Sequence, residues 1–395
     1  MVVSPRRMRH VVYLANLLFS FAGAITIYTN SSFIENTVGI ELVGVLYAVS
    51  SILSILILSR GVKKLAKLGN RTFFLFYGAL YALSLLLLVL PTHAYLQIIA
   101  FVIYLFSTNI LIFSLNVFFE RLAKIVGRGN MRGSFLLLGN IGIMLGPIIA
   151  ARAIDMGGFS GMYTIGLVVF CILAVILHFG LKNYIDAPYT PNHWYSALRH
   201  TLKEKTLRSV IGANFILQFF YAWMVVYTPI YLSKYLGFSW DTIGIIFALM
   251  LTTFVILDYP LGRLADWLGS EKELAAFGFL IMAGSVFGLA LLPIPNVIFI
   301  GALLFFSRVG AATVEAMTEI HFYKIAKASD PGLLSLFCDL RPLSYIVAPL
   351  LGALALAFLP FQSIFIILGI VLLFGFFISL YMEKKQEWWV REHRV

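Results

Sequence analysis

The sequence contains few charged residues. Asp, Glu, Lys and Arg make up 12% of its 395 residues, whereas 61% are hydrophobic and the mean hydropathy is +0.94. A soluble domain usually carries about a quarter charged residues, because its surface has to stay hydrated. The shortage excludes an ordinary soluble globular domain and indicates that most of the chain lies in lipid.

Cysteine and catalytic motifs are scarce as well. Cys171 and Cys338 stand alone in apolar segments, so the sequence predicts neither a disulfide framework nor a metal site. The GxxxxGKS/T phosphate loop, the HExxH zinc pair and the GxSxG nucleophile elbow are all missing. We therefore expect no metal, no cofactor and no enzymatic activity. The alternative is a lipid-modifying membrane enzyme, whose polar residues would gather at one membrane face.

Positive charge is in excess, but it follows a membrane pattern. The formal net charge is +11, and Lys and Arg cluster in alternate loops, while the opposite loops hold little more than Arg152 and Lys234. Loops rich in Lys and Arg stay on the cytoplasmic side. The chain is thus expected in the plasma (inner) membrane with both termini cytoplasmic, and its partner is the lipid bilayer, with no nucleic acid.

What the sequence does contain is a series of apolar runs of about 20 residues, the length that crosses a bilayer as a helix. The runs do not alternate with period two, which argues against a barrel. The segments, numbered one to twelve, are residues 10–32, 41–59, 72–91, 94–118, 134–152, 161–181, 208–232, 242–261, 274–292, 296–321, 333–358 and 361–382.

The two halves of the chain repeat. Glu41 and Gly44 match Asp241 and Gly244 at an offset of 200, and other pairs recur at nearly the same offset. The predicted fold is an all-α integral membrane protein of twelve transmembrane helices, in two six-helix bundles with pseudo-two-fold symmetry. The predicted domains are residues 1–182, a cytoplasmic linker at 183–207, and residues 208–395 with a cytoplasmic tail.

Two motifs carry a family resemblance. The turn after segment eight contains Gly262, Arg263, Asp266 and Gly269, and it resembles the signature loop of the major facilitator superfamily of twelve-helix transporters. In the loop after segment two, Ala66 stands at the aspartate position of that pattern, so the gate loop of the first half departs from the family pattern. Asp266 is interpreted as a latch for one conformation; the alternative is a simple capped turn.

Segment five resembles the corresponding family motif through Gly142, Gly146 and Pro147. Small residues let helices pack closely in lipid, so a packing role is expected. The resemblance implies alternating access around a cavity lined by segments one, four, seven and ten. Their polar residues are the predicted substrate cavity, unless they only join helices: Asn16, Ser20, Tyr28, Asn109, Asn116, Asn214, Gln218, Tyr221, Trp223 and Arg308.

Charged residues inside a membrane are usually functional. In this sequence they are concentrated in the second half. Arg308, Glu315 and Glu319 share one face of segment ten at spacings of seven and four, and segment eleven adds Asp339 and Arg341. Glu315 is the leading proton carrier and Glu319 the second candidate. The alternative is a fixed salt bridge to Arg341, and Arg308 is either an anion-binding group or a counter-charge.

These features predict a secondary transporter that works by alternating access as a monomer, with protons as the coupling ion. Export of a small, partly apolar solute is the first expectation. Uptake of a sugar, an amino acid or an organic anion is the alternative, and a non-transporting sensor or scaffold on the same fold is the second.

Overall fold

The computed structural model describes residues 4–90, 93–126, 129–182, 184, 199, 201–268, 271–291, 295–325 and 331–382. These residues form helices and short connections. The helices are α1 (Pro5–Ile27), α2 (Asn30–Val38), α3 (Ile40–Leu68), α4 (Asn70–Val89), α5 (Ala94–Val126), α6 (Gly129–Gly180), α7 (Lys205–Ile230), a π-helix (Tyr231–Tyr235), α8 (Trp240–Leu268), α9 (Glu271–Leu291), α10 (Val297–Ile325), α11 (Pro331–Phe358) and α12 (Ser363–Ser379).

The long helix α6 contains two predicted segments. Its 52 residues would extend about 78 Å as one straight helix, far more than the thickness of a bilayer. Gly157 and Gly158 interrupt it with non-helical torsion angles, and Gly158 has φ +62°, which glycine adopts readily because it lacks Cβ. All twelve predicted segments therefore fall on helices, and the predicted all-α membrane fold is confirmed.

Segment one is not the single helix that was predicted. Helix α1 ends at Ile27, and α2 starts again at Asn30. Between them the Thr29 hydroxyl donates to the carbonyl oxygen of Thr26 at 2.9 Å. A threonine side chain that bonds the backbone locally competes with the regular helical pattern, and the break lies at the start of the polar run Thr29–Ser32.

Two compact units can be distinguished. The first comprises Met1–Thr190 together with Val225–Ala248, and the second comprises Pro191–Met224 together with Leu249–Val395. In the first unit, α6 packs along α1, and α4 packs against α5 and α6. In the second unit, α9 packs against both α10 and α12.

Close approach of helices depends on glycine in both units. A Cβ added at Gly146 would lie 2.3 Å from the Cβ of Ala24 and 2.6 Å from its carbonyl carbon, and one at Gly142 would lie 2.7 Å from the carbonyl oxygen of Leu17. In the second unit, an added Cβ at Gly278 or Gly310 would lie 2.8 or 2.5 Å from the other glycine's carbonyl oxygen. Only glycine permits such crossings without movement of the backbone.

Two arginines bond the C-terminal end of α6. Arg7 donates to the carbonyl oxygen of Phe179 at 3.1 Å, and Arg71 donates to that of His178 at 2.9 Å. The last carbonyls of a helix have no partner within it and attract cations. These contacts fasten the end of α6 to the start of α1 and of α4.

Two ion pairs also lie within the first unit. Lys234, in the π-helix, bonds Glu35 of α2 at 2.5 Å, and the Glu35 side chain is only 9% exposed. Arg152 of α6 lies 3.3 Å from Asp241 of α8, with side chains 70% and 42% exposed.

Candidate functional site

The second unit contains a charged cluster on α7, α10 and α11. The Tyr221 hydroxyl of α7 donates to Oε2 of Glu315 in α10 at 2.8 Å, and both side chains are half-buried. The same two helices are joined a second time, where the Asn214 amide of α7 donates to the Thr318 hydroxyl of α10 at 3.2 Å. The predicted proton carrier therefore has a polar partner from another helix.

Arg308 lies about 10 Å before Glu315 along α10. It is 2% exposed, and its guanidinium carbon lies over two aromatic rings of α7, 5.0 Å from the centre of Phe220 and 5.6 Å from that of Tyr221. Its Nε has no hydrogen-bond acceptor within the described ranges. No ion pair joins it to a carboxylate among the side chains that the structure describes.

Helix α11 brings a second cation to the cluster. Arg341 and Arg308 are the cations that act on the charge of Glu315, and Arg341 also interacts with Tyr345, one turn further along α11. Glu315 and Arg341 form no ion pair in the described part of the chain. Glu315 is instead held by Tyr221, within the field of two arginines.

The two remaining acidic residues of the predicted coupling set, Glu319 and Asp339, are half-buried on α10 and α11. Their part in coupling stays a prediction. Of the other predicted residues of α7, Gln218 is half-buried, and Trp223 is fully buried against Phe219, with ring centres 5.2 Å apart.

The predicted cavity residues of the first unit mostly bond or pack against other helices. The Asn16 amide donates to the carbonyl oxygen of Phe135 at 2.7 Å, and the Asn109 amide donates to the hydroxyl of Ser54 at 3.0 Å. Ser20 is half-buried near Gly139 and Gly142. Tyr28 is 7% exposed, with its ring 4.9 Å from that of Phe247. Asn116 is exposed and bonds its own helix at Ile112.

Sequence reasoning missed a buried polar network in the first unit. The Tyr163 hydroxyl donates to Oδ1 of Asn30 at 2.9 Å, and the Tyr104 hydroxyl lies 2.5 Å from that of Thr26 and 3.5 Å from the Asn30 amide. All four side chains are at most 2% exposed. Asn30, at the end of a mostly apolar segment, was the available signal.

A second charged group was also missed. Glu271, at the start of α9, forms a short hydrogen-bonded ion pair with Lys324, near the end of α10. Nδ1 of His321 lies 3.5 Å from Oε2 of Glu271, and neither nitrogen of this buried ring has a hydrogen bond to another of the residues that the structure describes. In the sequence, Glu271 and Lys324 looked like ordinary loop charges.

The predicted gating loop lies mostly outside the residues that the structure describes. Gly262, Arg263 and Asp266 belong to the last turns of α8, but their side chains, and the whole of Gly269, lie outside the described residues. The latch role of Asp266 stays a prediction.

Comparison with known proteins gives a family and a fold. The family model described as "Major Facilitator Superfamily" matches residues 12–329. No curated protein matches the chain. Among solved structures, a mutant of the nucleoside transporter NupG has a TM-score of 0.75 at 12% identity, over 95% of this chain and 100% of that one. A POT family transporter, in complex with a thioalcohol-conjugated peptide, has a TM-score of 0.74 at 12% identity, over 94% and 95%. At such identities the likeness shows the fold alone.

Proposed function

Because the chain belongs to the major facilitator superfamily, we propose that it is a secondary transporter that moves a small solute by alternating access and couples this movement to protons through Glu315. The two halves, residues 1–182 and 208–395, are the moving bundles of this proposal. The chain acts as a monomer in the plasma (inner) membrane, with both termini and the 183–207 linker in the cytoplasm.

The observation that carries the proposal is the setting of Glu315. It is half-buried on a membrane helix, hydrogen-bonded to Tyr221 and influenced by two arginines without an ion pair to either. Burial opposes the charged form of a carboxyl group, and nearby cations favour it. Movement of α7 or α11 relative to α10 changes these distances, so it also changes the affinity of Glu315 for a proton. This dependence is what a proton carrier requires.

The test uses the purified full-length chain in proteoliposomes with an imposed pH gradient. A panel of nucleosides, dipeptides and organic acids is screened for movement driven by the gradient, in both directions. With a solute found in this way, Glu315→Gln is expected to remove gradient-driven accumulation but to retain exchange of labelled for unlabelled solute. Glutamine keeps an acceptor for the Tyr221 hydroxyl, so the helix contact is preserved.

Two variants sharpen this test. Glu319→Gln examines the second candidate, one turn away on the same helix, and Glu273→Gln is the matched control, because Glu273 is exposed in the first turn of α9. Accumulation that survives Glu315→Gln but is lost in Glu319→Gln would transfer the proton role to Glu319. If no solute of the panel moves at all, the non-transporting sensor gains support.

The direction of transport has two candidates. Export of a small, partly apolar solute is the first, in keeping with the short loops and the aromatic residues of segment seven. Uptake of an organic anion together with a proton is the second, and it is favoured by Arg308, a buried cation that pairs with no carboxylate in the described part of the chain. The sign of the pH gradient that drives accumulation in right-side-out vesicles distinguishes them.

A further inference from the structure

Arg308 is a buried cation that lacks an anionic partner among the described side chains. It is 2% exposed, its Nε has no acceptor, and Glu315, two helical turns away, bonds Tyr221 instead. A lone charge in a low-dielectric interior is costly unless another charge or hydrogen bonds compensate it. A residue held at such a cost points to a ligand that supplies the missing charge.

The surroundings of Arg308 define the shape of this ligand. Phe220 and Tyr221 lie at cation–π distance from the guanidinium carbon, and such rings attract the flat face of an arginine. The N–H groups point outwards in the guanidinium plane, so its edge is the part suited to an anion. A carboxylate matches this edge with two parallel hydrogen bonds.

Aromatic side chains also favour a ligand with an apolar body. The rings of Phe220 and Tyr221 are followed by Phe254, whose ring centre lies 6.1 Å from that of Tyr221. An aromatic or otherwise flat apolar group can stack beside such rings. A single arginine balances one negative charge, which favours a monoanion over a doubly charged phosphate.

We propose that Arg308 anchors a binding site for an organic monocarboxylate, whose carboxylate pairs with the guanidinium edge while its apolar body lies against Phe220 and Tyr221. The proposal rests on the proposed function, since it names the solute class of the same transporter, and it favours the second direction, uptake with a proton.

Binding of this anion is linked to protonation of Glu315. The groups that face Glu315 are Tyr221 of α7, Arg308 of α10 and Arg341 of α11, and Arg341 is in turn bound by Tyr345. When Glu315 is ionised, its negative charge partly cancels the positive potential of the two arginines. When it is protonated, that potential is available to the solute. Proton and anion therefore strengthen each other's binding, and the linkage is reciprocal.

The experiment measures binding of benzoate to the purified full-length protein in detergent, with neutral benzamide as the matched probe of the same shape. We expect benzoate to bind and raise the melting temperature, and benzamide to bind at least about tenfold more weakly, because it lacks the charge-assisted pair. Arg308→Gln should weaken benzoate binding to the level of benzamide. Arg308→Lys should recover part of it, since lysine keeps the charge but not the planar fork.

The pH dependence tests the linkage. Between pH 8 and pH 6, where benzoate itself stays ionised, we expect its affinity for the wild type to rise, and its affinity for Glu315→Gln to stay high throughout. Equal binding of benzoate and benzamide, no binding of benzoate to the wild type, or undiminished binding to a folded Arg308→Gln would overturn the site. Wild-type affinity that does not change with pH would overturn the linkage.

The two proposals fail in different ways. If benzoate binding depends on Arg308 but Glu315→Gln leaves gradient-driven transport intact, the anion site stands and proton coupling through Glu315 falls. If Glu315→Gln abolishes coupling but benzoate binds no better than benzamide, the coupling role stands and the anion site falls. The comparison of the two probes on the wild type does not depend on the folding of any variant.

Discussion

The buried network around Asn30 in the first unit is neutral, and the largely buried Glu35 of that unit is paired with Lys234, whereas the second unit buries a cation, Arg308, that pairs with no carboxylate among the described side chains. Thr26, Asn30, Tyr104 and Tyr163 satisfy one another by hydrogen bonds within the first unit. Among the described side chains of the second unit, Arg308 has no anionic partner and Glu315 contacts a tyrosine. Polar residues without charge commonly join membrane helices, while ionisable residues in lipid commonly serve transport or relay. We therefore interpret the first unit as a scaffold, and the second as the working element that binds the solute and the proton.

The largest expected loss of stability follows from removing the carboxylate of the Glu271–Lys324 ion pair. In Glu271→Gln, Lys324 and His321 lose the carboxylate that faces them. The Glu271 side chain is 8% exposed but that of Lys324 is 34% exposed, so the expected cost is that of a lost hydrogen bond between charged groups, about 2 kcal/mol. We expect a clear fall in melting temperature, measured in detergent. Glu273→Gln, exposed in the same helical turn, is the control. An unchanged melting temperature would show that the pair contributes little, and that charge in the second unit is not structural even where it is paired.

The neutral network of the first unit provides the next test. Tyr104→Phe leaves the buried groups of Thr26 and Asn30 short of a partner, at a cost of about 1–2 kcal/mol. The melting temperature should fall while the ratio of driven to undriven transport is unchanged. Tyr95→Phe, at an exposed tyrosine of the same helix, should change neither quantity. A change of coupling in Tyr104→Phe would break the division between scaffold and working element.

Removal of Arg308, whose charge has no anionic partner among the described side chains, should raise the stability of the protein and not lower it. Arg308→Met loses the cation–π contacts but also removes the cost of burying a lone cation. We expect the ligand-free protein to gain about 1 kcal/mol in stability while losing solute binding. Lys324→Met, at a paired cation, should be destabilising. A lower melting temperature for Arg308→Met would indicate that Arg308 already has a compensating partner within the protein.

The smallest effect belongs to the exposed ion pair of the first unit. Arg152→Gln should change the free energy of unfolding by less than about 0.5 kcal/mol, because exposed pairs contribute little. The Arg152–Asp241 pair, with side chains 70% and 42% exposed, should also be weakened by salt. A large loss of stability in this variant, measured at low and high salt, would contradict this expectation.

Most of the fold could be predicted from the sequence, because the length of apolar runs and the placement of Lys and Arg follow directly from the bilayer. The break between α1 and α2 at Tyr28 and Thr29 could not be predicted, since it depends on a local hydrogen bond of the Thr29 side chain. The interruption of α6 at Gly157 and Gly158 was visible in the sequence as a gap between segments five and six.

The site was predictable in its residue types but not in its pairs. Glu315 and Arg308 stand out in the sequence, because charge is rare in apolar runs. The bond between Glu315 and Tyr221 depends on how α7 and α10 are rotated against each other, which no spacing along a single helix reveals. Tyr104 and Tyr163 were missed because a tyrosine in an apolar run has the same pattern as core filler.

The two arginines at the end of α6 have a consequence for the order of assembly. Arg7 and Arg71 precede the α6 carbonyls that they bond by more than a hundred residues. During synthesis they are present long before their acceptors, so both guanidinium groups lack these carbonyl partners while segments two to five are made. Only when the sixth segment has been inserted do they gain these bonds. We expect the arrival of the sixth segment to complete the packing of the start of α1 and of α4 against the end of α6.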